Sequence, residues 1–137
     1  MPTLFTRIAN GELPATFVYR DSRCVSFMTI NPIARGHLLV VPLEEIDQWS
    51  NLPGKLAAHL FEIAATIGRA QKLAFNCQRV GLVIAGYEIP HCHLHLIPTN
   101  SMADFDFHRA AQNVPTEELE SAASQVIAAL KKLEKSP

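Results

Sequence analysis

Cysteine is scarce in this chain, three residues in 137. Cys24, Cys77 and Cys92 are odd in number, far apart and set among apolar neighbours, which excludes a disulfide framework and predicts reduced, packed thiols. Charge of one sign is lacking too. Twelve Lys and Arg against thirteen Asp and Glu leave a formal net charge of −1, which argues against general affinity for nucleic acid or an anionic membrane and leaves room for a local phosphate site. No apolar run approaches the roughly 18 residues that a membrane span needs. The opening Met-Pro-Thr-Leu-Phe-Thr-Arg has neither the basic start nor the hydrophobic stretch of a signal peptide, so a cytoplasmic protein is expected. Internal repeats and low-complexity tracts are also missing. What remains is an ordinary globular composition, 48% hydrophobic and 18% charged, long enough for one domain with a real core.

The order of patterns along the chain predicts an α+β fold. Leu4, Phe5 and Ile8 followed by Asn10-Gly11 suit a short helix closed by a turn. ATFVYRD and CVSFMTI, rich in β-branched and aromatic residues and parted by Asp21-Ser22, suit a hairpin. Asn31-Pro32 breaks the chain, and HLLVVPL at 37–43 is an apolar run consistent with a strand buried on both faces. Apolar residues at 56, 60, 63, 67, 70 and 74 mark a long core helix beginning just after Pro53-Gly54. RVGLVIAGYEIPHCHLHLIP supplies two strands, expected to be joined tightly around Gly86. A polar linker holding Asp104, Asp106 and His108 precedes a second amphipathic helix marked by Leu119, Ala122, Val126, Leu130 and Leu133. Two groups of strands around a helix predict an antiparallel sheet with helices packed outside it.

Three of the six histidines fall in PHCHLHLIP at residues 90–98. Alternation is the period of a strand, so His91, His93 and His95 are expected on one face and Cys92, Leu94 and Leu96 on the other. One neutral imidazole in such a row can attack phosphorus while its neighbours donate hydrogen bonds to phosphate oxygens and the leaving group. A labile histidine–phosphorus bond would divide one hard displacement into two easier ones. The same spacing is also good zinc geometry, since imidazoles on one face can converge on an ion, and a polar, histidine-rich sheet face is a third reading. Spacing alone does not separate them.

The stretch His91-Cys92-His93-Leu94-His95-Leu96-Ile97 resembles the signature of the histidine triad (HIT) nucleotide hydrolases and transferases. The block Asn31, Pro32, Gly36, His37, Leu39 and Pro42 resembles a second motif of that family, and the likeness runs from FTRIANGELPATFVYRD to about Pro98. The resemblance implies a HIT-like fold, a sheet of about five antiparallel strands with a long core helix and a C-terminal helix. It implies one HIT domain over 1–137, with a triad core at about 3–98 and a linker and helix at 99–137. It also implies a homodimer that binds a nucleoside monophosphate or its conjugate, with no cofactor and with neither nucleic acid nor membrane as partner. His93 then matches the nucleophile, His95 the histidine that contacts non-bridging phosphate oxygens, and His91 the one that orients the nucleophile and eases leaving-group departure. His37 matches the family's fourth histidine. The expected activity is phosphoramidase-like cleavage of a P–N or P–O bond at the α-phosphate. Alternatives are a dinucleoside polyphosphate hydrolase and a nucleotide-binding regulatory protein that has lost turnover.

Departures from the family pattern fall on the substrate side. Thr29, close to Asn31, stands where many members carry Asp or Asn to grip the ribose, and a hydroxyl cannot match a carboxylate's two-oxygen grip. Gly86-Tyr87-Glu88 replaces a longer loop ending in Gly-Gln-Ser or Gly-Gln-Thr. Glu88 near a phosphate repels it unless protonated, turned away or paired, and it could favour a cationic leaving group; its alternative is a solvated loop tip. Tyr87 suits a lid over the base or a packed edge. Zinc-binding members carry Cys-x-x-Cys where this chain has Thr3-Leu4-Phe5-Thr6, and a histidine where it has Glu45, so no structural zinc is expected. His59 is expected on a helix surface, Trp49 in packing, Arg35 at the surface, and His108, Asp104 and Asp106 in a solvated loop.

Overall fold

The computed structural model describes residues 1–135. Its elements are α1 (Leu4–Ala9), β1 (Phe17–Arg20), β2 (Cys24–Met28), β3 (Leu38–Pro42), α2 (Gly54–Phe75), β4 (Arg79–Val83), β5 (Leu94–Thr99) and α3 (Thr116–Glu134). The five strands form one sheet in the order β1-β2-β3-β5-β4, with every neighbouring pair antiparallel. Among the described residues no helix is long and apolar enough to cross a membrane.

Side-chain alternation divides the sheet into two faces with separate cores. Cys24, Met28, Leu38, Val40, Leu94 and Leu96 pack against Leu56, Leu60, Ala64 and Ile67 of α2 and Leu119, Ala122 and Val126 of α3. The odd-numbered partners Val25, Phe27, Leu39 and Val41 face the other way and meet Phe5 and Ile8 of α1. All five residues of β3 are therefore buried, as its continuous apolar run predicts. Burying a side chain such as Leu60 or Ile67 contributes roughly 1.5–3 kcal/mol.

Polar groups fix the joints. In the turn between β1 and β2, Asp21 Oδ1 accepts the N–H groups of Arg23 and Cys24, while Oδ2 accepts from the Tyr19 hydroxyl and lies 2.7 Å from His59 Nε2 on α2. Burial works against the Asp21 carboxylate, but these hydrogen bonds outweigh it and hold the group well below the usual carboxylate range. His59 is thus a tether between sheet and helix, not merely a helix-surface residue. Gln71 of α2 is fully buried and donates to the carbonyls of Gly36 and Leu96. It ties the residue before His37 and the residue after His95 to one helical side chain.

The connection between β4 and β5 differs from the expected tight turn at Gly86. Residues 84–93 form a ten-residue loop, and of the three triad histidines only His95 lies inside β5. The ladder between these strands ends at the Val83–His95 pair. Beyond it the backbone is engaged elsewhere: His91 N–H bonds Ile89 O and Cys92 N–H bonds Ile46 O, on the segment that follows β3. Cys92, Leu94 and Leu96 still share the α2 core, so the alternation of the histidines survives without a continuous strand.

Candidate active site

The triad lies on the α1 face of the sheet, beside a cleft of about 690 Å³. Leu4, Phe5, Ile8, Leu13, Phe27 and Leu39 form its apolar wall, and His93, His95, Glu88, Thr29, Asn31 and Glu120 supply its polar groups. An apolar pocket with a few convergent polar groups is the form a small-molecule site takes.

The hydrogen bonds settle which nitrogen of each neutral ring carries the proton, because a carbonyl only accepts and a backbone N–H only donates. His93 Nδ1 lies 2.8 Å from the carbonyl oxygen of His91, two residues earlier. Nδ1 must carry hydrogen, so Nε2 of the neutral ring holds a lone pair. His37 Nδ1 accepts the Ile33 N–H at 3.1 Å, which places hydrogen on His37 Nε2, 2.9 Å from His95 Nδ1. His95 Nδ1 therefore accepts, and its Nε2 carries hydrogen. The two cleft histidines present opposite chemistry: a lone pair on His93 and an N–H on His95. Their ring centroids are 4.9 Å apart.

Electrostatics keep these rings uncharged. Burial pushes His37 down to about 3, with the neighbouring His95 ring adding to the effect. Burial likewise pushes His95 down to about 4, with His93 contributing. For His93 burial also lowers the value, while the bond to the His91 carbonyl and the charge of Glu88 act in the opposite sense. A neutral imidazole at pH 7 is the nucleophilic form.

His91 is placed differently from its neighbours. It is 1% exposed; Nε2 donates to Pro42 O at 2.7 Å, and Nδ1 is 2.6 Å from the Thr3 hydroxyl. Both ring nitrogens are engaged by protein. What His91 offers the site is its carbonyl oxygen, and its ring anchors that carbonyl. The Thr3 main-chain N–H in turn bonds Glu45 at 2.7 Å. Thr3, Glu45 and His91 thus meet at the N-terminus of α1, and Phe5, two residues after Thr3, packs its ring 4.9 Å from His93 and 5.6 Å from His91.

The other predicted residues divide. Thr29 and Asn31 line the cleft, with Thr29 Oγ1 accepting the Asn31 N–H and Asn31 Nδ2 donating to Ala111 O. Glu88 also lines it. Tyr87 does not, and is 96% exposed; Gly86, at φ +84°, turns the chain so that residue 87 faces out. His37 stands behind His95. Arg35 bonds Ser121 and Gln125 on α3. His108 and Asp106 lie in the linker, which brings a residue that composition did not mark: the Phe107 ring packs edge-on 5.0 Å from His95 and 6.2 Å from His37. Thr3, Phe5, Gln71 and Phe107 are the supporting residues that the sequence reading missed. Only Gln71 left a signal, a polar side chain directly beside the apolar stripe of α2.

A family model described as HIT domain matches residues 10–102. An uncharacterized HIT-like protein of Methanocaldococcus jannaschii is 34% identical over 99 residues, covering 69% of this chain and 77% of that protein. The crystal structure of a HIT family hydrolase from Legionella pneumophila superposes with a TM-score of 0.66 at 32% identity, covering 74% of this chain and 96% of that one. A hypothetical histidine triad nucleotide-binding protein of Sulfolobus tokodaii shares the fold at a TM-score of 0.85 and 24% identity, with 96% and 93% covered.

Proposed function

The chain belongs to the HIT family, and from that premise we propose that it is a nucleotide-binding hydrolase or transferase acting in the cytoplasm. It cleaves a P–N or P–O bond at the α-phosphate of a nucleoside monophosphate conjugate, phosphoramidase-like, through a nucleotidyl intermediate on His93. The observation that carries this reading is the bond from His93 Nδ1 to the His91 carbonyl, which leaves the Nε2 lone pair for phosphorus. Nε2 forms the new N–P bond as the P–N or P–O bond to the leaving group breaks; the bonding pair leaves with that nitrogen or oxygen, which takes a proton from solvent water. The His91 carbonyl is already in place to accept from Nδ1–H as positive charge develops on the ring. The His95 Nε2–H donates to a non-bridging oxygen, its direction set by the relay from Ile33 N–H through His37. Water then attacks phosphorus as the N–P bond breaks; the bonding pair returns to His93 Nε2, the water's proton passes to solvent, and the monophosphate is released.

His91 acts here as a positioning residue, since its ring nitrogens are taken up by Thr3 and Pro42. The apolar wall built by Phe5, Ile8, Leu13 and Phe27 suits a base, and the Thr29 hydroxyl suits a single sugar contact. Residues 1–137 act as one HIT domain, its C-terminal linker and helix packed on the triad core. A homodimer is expected through β4, an edge strand whose Leu82 is 40% exposed beside Phe61, 66% exposed on α2. An uncovered apolar edge of this kind invites pairing.

Turnover of adenosine 5′-phosphoramidate and diadenosine tetraphosphate, measured with chelator present in wild type and His93→Ala, tests the reading. Release of AMP from the phosphoramidate by wild type alone supports it. Faster cleavage of the tetraphosphate shifts the assignment to a dinucleoside polyphosphate hydrolase. Tight binding without turnover shifts it to a regulatory binding protein.

A further inference from the structure

The cleft has an unusual charge balance for a phosphate site. Among the described residues that line it none is Lys or Arg, whereas Glu88 and Glu120 both do. Nearby cations are committed elsewhere: Arg35 bonds Ser121 and Gln125, and Arg109 bonds Ala103 O, and both border a separate cavity on the far side of His37. The two histidines that face the cleft are held neutral by burial. A nucleoside monophosphate conjugate brings at least one negative charge to this lining. Hydrogen bonds from His95 can orient that charge, but nothing in the lining compensates it.

The two carboxylates stand at different places. Glu120 comes from α3, whose Leu119 also packs beside Met28 and the loop from Pro32 to His37. Glu88 belongs to the loop that carries His91 and His93, and its charge is felt at the His93 ring. Glu88, like the neighbouring Tyr87, is exposed, but unlike Tyr87 it lines the cleft, and it forms no ion pair or hydrogen bond with any described residue. It is an unpaired carboxylate at the reacting end of the cleft.

Building on the reading of His93 as nucleophile, we propose that Glu88 is a specificity-determining residue that selects nucleotide conjugates whose leaving group carries a primary ammonium a few atoms from the scissile bond. The substrate is then zwitterionic: its phosphate meets the His95 N–H and its ammonium meets Glu88. The cation neutralises the carboxylate that would otherwise repel the phosphate, so attraction and relief of repulsion act together. A neutral leaving group of the same size forfeits both effects, and an anionic one adds a second repulsion.

A matched pair of adenosine 5′-phosphoramidates tests this, one made from ethylenediamine, which leaves a free ammonium, and one from propylamine, its neutral counterpart. The readout is the ratio of kcat/KM for the two substrates in wild type, Glu88→Gln and Glu88→Lys. Wild type should favour the ammonium substrate by about tenfold or more at low salt, the ratio should fall toward one in Glu88→Gln, and it should invert in Glu88→Lys. The same ratio in wild type and Glu88→Gln would overturn the proposal. Calorimetric affinity of His93→Ala protein for the two conjugates, with and without Glu88→Gln, measures the charge preference independently of turnover. If neither substrate is cleaved yet the ammonium conjugate binds more tightly through Glu88, the catalytic reading falls and the selectivity stands. If both are cleaved without preference, the selectivity falls and the catalytic reading stands.

Discussion

Acid should destabilise this protein through its buried histidines, and the effect of two of the rings can be sized. His37 is held neutral down to about 3 and His95 down to about 4, whereas both take the ordinary value of about 6.5 in the unfolded chain. The folded values lie below the unfolded ones, so the unfolded state binds more protons and stability is lost as pH falls. The loss starts as pH drops through about 6.5 and levels off only below the folded values. At pH 4.5 the unfolded histidine is almost fully protonated and buried His37 almost fully neutral, a difference on the order of 3 kcal/mol, with a comparable amount from His95. Together these approach the whole stability of a small domain, roughly 5–15 kcal/mol. Urea unfolding at steps between pH 7 and 4.5 reads the effect directly. His37→Asn removes one titrating ring, and between pH 5.5 and 4.5 its stability should fall less steeply than wild type by about 1.4 kcal/mol per pH unit. Asp21 loses its contribution only at lower pH, as its carboxylate becomes protonated in the unfolded chain and then in the fold, so it does not confuse this window. Equal slopes for wild type and His37→Asn, or no loss of stability over the range, would refute the placement of these rings as neutral and buried.

Other substitutions probe the supports of the site. Gly36→Ala should destabilise by at least about 2–3 kcal/mol in a denaturant titration, because Gly36 sits at φ +91° and a Cβ there would overlap the Phe75 ring. Thr3→Val leaves His91 Nδ1 buried without its hydroxyl partner, and should cost about 1–3 kcal/mol of stability and lower kcat, with Thr3→Ser restoring both. Leu82→Lys places a charge on the β4 edge and should shift the protein toward monomer in sedimentation velocity; an unchanged dimer would rule out that edge as the interface.

The fold was largely legible because its signals are periodic. The apolar positions from Leu56 to Ala74 fall inside α2, those from Leu119 to Leu133 inside α3, and the buried run of β3 is continuous. The loop at 84–93 was misread because Val83-Ile84-Ala85 continues a strand-like pattern, while the hydrogen bonds that end the ladder come from residues distant in sequence, such as Ile46 O to Cys92 N–H. Alternation placed the histidines on one face correctly. It could not show that His91 is turned into Thr3 and Pro42, since that depends on where the N-terminus of α1 docks. Phe107 gave no warning: an aromatic in a polar linker becomes a cover for His95 only once Ala111 is bonded to Asn31 and Pro32.

The central claim is that His93 Nε2 becomes covalently bonded to phosphorus. Rapid acid-free quenching of wild-type protein during turnover of adenosine 5′-phosphoramidate, followed by peptide mass spectrometry, tests it most directly. An adenylyl mass on the peptide carrying His93, absent in His93→Ala, is the predicted result. Product accumulating while His93 stays unmodified, or the adduct residing on another residue, would contradict it.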